Sequence, residues 1–173
     1  MEKNEINPYF LLAEAFCYPA PGRLAALQGG MKALPENIRK ESMQAFLDKI
    51  GRLSLGEWEE LHTRTLDLNP PAAPYVGFQI WGEAYQRGVF LSLLNREMAE
   101  NNINLEGELP DHLIPVLRYL GQVSEPMPEL IDILVPAIQR MLASLRKADP
   151  SNPYLELLEA AQSACSDLKK EAA

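Results

Sequence analysis

Fourteen prolines are scattered through a chain whose apolar residues otherwise recur at helical spacing. Proline lacks an N–H and clashes with the turn before it, so it is admitted at the first position of a helix and resisted inside one. The prolines therefore divide the chain into helical segments and show where several of them begin. Asn7-Pro8 supplies a cap and a first position, and Tyr9, Leu12, Ala13 and Phe16 follow at helical spacing as far as Pro19. A short second helix is expected from Gly22 to Gln28, ended by Gly29-Gly30. Pro35 opens a third, with Ile38, Phe46, Ile50 and Leu53 on one side. Ser54-Leu55-Gly56-Glu57 reads as a capping box ahead of Trp58, Leu61 and Leu66.

The stretch "LNPPAAPYVGFQIWGE", Leu68 to Glu83, packs its prolines closely. It is expected to be an extended, aromatic-rich loop of about 15 residues, unusual inside a compact domain and as apt to be functional as to be a plain connector. Helix resumes from Ala84 to Asn101, with Phe90, Leu91, Leu94 and Met98 inward. The next helix follows "GELPDHLIPVLRYLG", with Leu113, Val116, Leu117 and Leu120 inside. Pro128 opens a long helix to Lys147 with Ile131, Leu134, Val135, Ile138, Met141, Leu142 and Leu145 as its stripe and Pro136 as an expected kink. Asn152-Pro153 starts the last, which carries Tyr154, Leu157, Leu158, Ala161, Cys165 and Leu168 before a tail, residues 169–173, expected to fray. No segment alternates as a strand does. The expected fold class is all-α, one globular domain spanning residues 1–173 with about seven to nine helices.

A net charge of −8 argues against a nucleic-acid backbone as partner and is compatible with a basic one. No secretory leader and no membrane-spanning apolar run is visible, so a cytoplasmic protein without stable membrane insertion is expected. Cys17 and Cys165 have no metal-ligand spacing and read as buried, reduced thiols. There is no phosphate-binding glycine loop and no nucleophile elbow.

The chain has two histidines, His62 and His112, each near acidic residues. Glu59-Glu60-Leu61-His62 contains half of a di-iron bundle signature, but His112 has Leu109 where the second half needs Glu. Asp111 and His112 are neighbours that diverge by about 100° on a helix, which makes them poor relay partners. Asp111 fits a helix cap instead, while His112 is either a satisfied semi-buried ring or a group projecting into a site. The density of Tyr75, Phe78, Trp81 and Tyr85 among Gly77, Gly82 and Gly88 suits either an aromatic core plug or a peptide-binding wall.

"PYVGFQIWGEAYQRGVFLSLL" with Gly82-Glu83 and Arg87-Gly88, followed by Glu108-Leu109-Pro110-Asp111-His112-Leu113, resembles the NarJ/TorD/DmsD family of molybdoenzyme assembly chaperones. The resemblance covers Tyr75 to Leu120 and is nearest the NarJ branch, which serves nitrate reductase assembly. It implies an all-α chaperone without enzymatic activity or cofactor, a monomer or weak dimer. It also implies a partner: the N-terminal segment, a twin-arginine signal or its remnant, of a molybdenum-enzyme catalytic subunit, held for cofactor insertion. Carried over residue by residue, the peptide site is Pro110, Asp111 and His112, with Tyr75, Trp81, Glu83, Tyr85 and Arg87 as neighbours.

On this reading aromatics wall the site, and Asp111, Glu83 and Glu108 form an acidic rim for a basic, apolar peptide. Asp111→Ala or His112→Ala is then expected to weaken peptide binding with folding largely intact. Two alternatives stay open: a helical metal-binding enzyme using His62 and His112, and a helical scaffold that self-associates through the aromatic segment.

Overall fold

The computed structural model describes residues 7–34, 40–68 and 70–172. Among these, nine α-helices account for all regular structure except one π-helical turn and one isolated bridge. The all-α expectation holds.

The starts follow the caps. Asn7 accepts the Tyr9 N–H at 2.9 Å, with Pro8 in the first turn of α1 (Pro8–Phe16). The expected proline start of the third helix falls at Pro35, which with Ile38 lies outside the described residues; α3 is described from Lys40 to Ile50. The capping box at Ser54 and Glu57 forms in both directions and starts α4 (Leu55–His62), which winds on into a π-helical turn at Thr63–Asp67. Asn152 accepts the Tyr154 N–H at 2.9 Å and donates to Thr65 Oγ1 at 2.8 Å, tying the start of α9 (Tyr154–Ala172) to the π turn.

Three boundaries differ from expectation. Helix α2 (Arg23–Lys32) runs through Gly29-Gly30 rather than ending there. The glycine serves packing: a Cβ on Gly30 would stand 2.5 Å from Leu11 Cδ1 of α1. The loop after Leu68 is short, because all its prolines lie at or before Pro74, and α5 occupies Val76–Trp81. Gly82 at φ +60° then turns the chain into α6 (Tyr85–Glu100), a backbone region open to glycine. Helix α9 continues to Ala172, past the residues expected to fray.

Helix α7 (Leu113–Gln122) packs on α1, and α8 (Pro128–Ala148) packs on α9 and α5. Helix α8 stays helical through Pro136. Its buried stripe is Leu130, Leu134, Ala137, Ile138, Met141, Leu142 and Leu145, with Ile131 and Val135 half-buried at the flank. In α6, likewise, Leu91 is only half-buried beside Phe90, Leu94 and Met98. One apolar core joins all these faces. No described helix is long and apolar enough to cross a membrane.

Candidate functional site

The proline-rich segment and the turn before α7 meet as two extended strands of one residue pair. Proline at position 74 ends the possibility of helix but leaves a carbonyl to be satisfied. Leu113 N–H donates to that carbonyl at 2.8 Å, and Val76 N–H donates to Asp111 O at 2.9 Å. These two bonds make an antiparallel bridge between Tyr75 and His112. The two rings follow the backbone, meeting edge to face with centroids 5.1 Å apart.

Arg87 of α6 closes the arrangement. Its Nε and Nη2 donate to the two oxygens of Asp111 at 3.0 and 3.2 Å, a bidentate pair. Its guanidinium also lies over the rings of Tyr75 and Phe78, at 5.7 and 5.5 Å from their centroids. The Asp111 side chain is fully buried and that of Arg87 is 16% exposed. Gly77 is the residue that lets α5 approach: a Cβ there would stand 2.8 Å from Asp111 Oδ2 and 3.2 Å from Phe90 Cδ1.

This geometry corrects the role expected of Asp111. It does not cap α7, and it offers no carboxylate to a rim, because both its oxygens are committed to a guanidinium that binds them more strongly than backbone N–H groups would. Removing it strands a largely buried cation, so its loss is expected to cost stability rather than leave the fold untouched. The cap is His112, whose Nδ1 accepts the Ile114 N–H at 3.1 Å. An imidazole that accepts at Nδ1 is neutral and carries its proton on Nε2. Burial lowers its pKa from 6.5, against the opposing pull of Glu108 and Asp111.

Tyr75 donates its hydroxyl to Glu108 Oε2 at 3.0 Å. Burial, reinforced by that carboxylate, pushes its pKa up to about 12, so it remains a donor. Pro110 is buried beneath the turn, while Leu109 and Phe78 are 46% and 38% exposed at its surface. Of the residues anticipated from sequence, Tyr75, Arg87, Pro110, Asp111 and His112 are therefore brought together. Trp81 sits beside them, half-buried and packed on Phe90 at 5.3 Å between centroids. Glu83 and Tyr85 stand exposed, with no hydrogen bond into the cluster among the described residues. Gly77 and Phe78, part of the aromatic-glycine cluster that the sequence offers as a core plug or a peptide-binding wall, belong to the site; Leu109 joins them with no signal in the sequence beyond its place beside Pro110.

His62 is spent elsewhere. Its Nε2 lies 3.0 Å from Phe16 O, the ring packs between Tyr18 and Tyr154, and Nδ1 is buried without a partner. Burial lowers its pKa. Among the described residues no three His, Cys, Asp or Glu side chains gather as a ligand set. Cys17 and Cys165 are both free thiols, half-buried and buried respectively. Burial pushes the Cys165 thiol up to about 12 and raises Cys17 as well, which holds both protonated and unreactive.

The arrangement offers groups suited to contact with a partner. It presents an exposed leucine and phenylalanine and the exposed Glu108 beside the half-buried ring of Tyr75 and the buried imidazole of His112. No protein-family model matches this chain, and no curated protein matches it.

Proposed function

We propose that the chain is a peptide-binding assembly chaperone of the NarJ/TorD kind. Its client is the N-terminal, basic and apolar segment of a molybdoenzyme catalytic subunit, held in the cytoplasm until cofactor is inserted. The observation that carries this reading is the convergence of the two motif segments that bear the resemblance: the Tyr75–His112 bridge and the Arg87–Asp111 pair lock them into one platform. Phe78 and Leu109 supply apolar contact for the peptide, and Glu108 supplies a surface carboxylate for its basic end. Asp111 and Arg87 hold the platform, and His112 offers its Nε2–H to a peptide carbonyl.

Calorimetric titration with a synthetic basic-apolar N-terminal peptide tests this. Phe78→Ser and Leu109→Ser change exposed side chains, so both variants are expected to fold normally and to lose at least tenfold in affinity, about 1.4 kcal/mol. Full affinity in both would remove the site.

A further inference from the structure

The platform depends on a helix too short to hold itself. Helix α5 has six residues, and isolated helices of fewer than about 12 are marginal in water. Its start is tied down. Val76 N–H donates to Asp111 O at 2.9 Å, and the Gln79 side-chain amide folds back to donate to Ala73 O at 3.0 Å. At its end Trp81 rests on Phe90, and Gly82, at φ +60°, swings the chain away into α6.

A helix leaves its last four carbonyls without intrahelical partners. In α5 these belong to Phe78, Gln79, Ile80 and Trp81. Gly82 N–H donates to Phe78 O at 2.7 Å, and Ala84 N–H to Trp81 O at 3.2 Å. Among the described residues no backbone N–H reaches Gln79 O or Ile80 O. One nitrogen serves both: Arg140 Nη1, on α8, donates to Gln79 O and, at 3.3 Å, to Ile80 O. The guanidinium also sets a positive charge at the negative end of the helix, and charge-assisted bonds are roughly twice as strong as neutral ones. Arg140 is exposed, so it acts through its guanidinium and not through burial in the core.

We propose that Arg140 is a positioning residue for the peptide platform. It is a latch on α8 that holds the end of α5, and with it Phe78, in the receptive arrangement. Arg87 grips the site from α6 through Asp111, and Arg140 grips it from α8. Without the latch two carbonyls turn to water, the last turn of α5 frays, and Phe78 is correctly placed only part of the time. Apparent affinity then falls by that fraction. The rest of the fold stays, because the opening is local and the freed carbonyls lie where water replaces the guanidinium. The effect on binding rests on the peptide-binding reading above, whereas the latch itself rests on these hydrogen bonds.

Arg140→Met keeps the aliphatic stem and removes the donors, and Arg140→Lys keeps a cationic donor. Two readouts on the full chain separate the latch from the client. Amide hydrogen exchange without peptide, followed by NMR, should be about tenfold faster at Gly82 and Ala84 in Arg140→Met, with α9 and the urea midpoint little changed. Calorimetric titration with the basic-apolar peptide should show affinity about tenfold weaker in the same variant. Arg140→Lys should recover part of both losses. Unchanged exchange at Gly82 and Ala84 overturns the latch whatever the peptide does. Faster exchange with unchanged affinity, where Phe78→Ser has lost affinity, overturns the positioning role. So does a lysine variant no better than methionine. A chain that takes no such peptide removes the client reading and the positioning role with it, while faster exchange would leave the latch standing.

Discussion

Asp111→Ala should be among the most damaging single changes to stability in this chain. The carboxylate is fully buried and receives two N–H bonds, at 3.0 and 3.2 Å, from a guanidinium that is itself only 16% exposed. Breaking a buried pair from one side typically costs about 3–5 kcal/mol, because the surviving charge is left without its partner. Here the survivor is Arg87, which keeps an edge toward water and the faces of Tyr75 and Phe78, so the low end, about 3 kcal/mol, applies. With a urea m-value of about 2 kcal/mol/M, the unfolding midpoint should fall by about 1.5 M at unchanged slope. Replacing both partners together, Arg87→Met with Asp111→Leu, should recover most of that loss, since no buried charge remains. A cost below about 1 kcal/mol for Asp111→Ala, the range of an exposed ion pair, would refute the reasoning.

Other consequences can be checked on the same protein. His112→Asn should be nearly neutral, because asparagine caps helices well, whereas His112→Ala should cost about 1 kcal/mol in urea unfolding. His62 and His112 both have folded pKa values below their ordinary 6.5, so the unfolded chain binds more protons just below that value. Their contribution is complete above pH 6.5 and is lost as pH falls from there through the lower folded values. The urea midpoint should therefore drop between about pH 7.5 and about pH 5.5, and less steeply in His112→Asn. Gly77→Ala forces a methyl to 2.8 Å from Asp111 Oδ2 and should cost about 1–3 kcal/mol, as measured by thermal or urea unfolding.

Much of the fold was legible because local chemistry and tertiary packing agree. The Asn7-Pro8 start, the Ser54–Glu57 box and the long periodic stripes each determine an element from adjacent letters. The misreadings have one origin: a residue's local signal does not reveal its distant partner. Gly29-Gly30 reads as a stop unless Leu11 is known to press on it. Asp111 reads as a cap unless Arg87, brought in from α6, is known to claim it. Once it is claimed, capping passes to the next residue, His112, an assignment that no sequence pattern announces. The candidate site was visible as two motifs, but the bridge that joins them runs through backbone groups of Pro74, Val76, Asp111 and Leu113, which carry no side-chain signature. Tyr85 was drawn into that site by its place in the motif, while its ring stands out on the outer face of α6.

A titration of isotope-labelled protein with a basic-apolar N-terminal peptide, followed amide by amide by NMR, tests most directly whether the joined segments form one receptor. Residues 75–78 and 108–113 should shift together, with a single affinity, while the outer face of α6 stays still. Shifts confined to other surfaces, or no response at peptide concentrations that saturate a micromolar site, would contradict the proposed function.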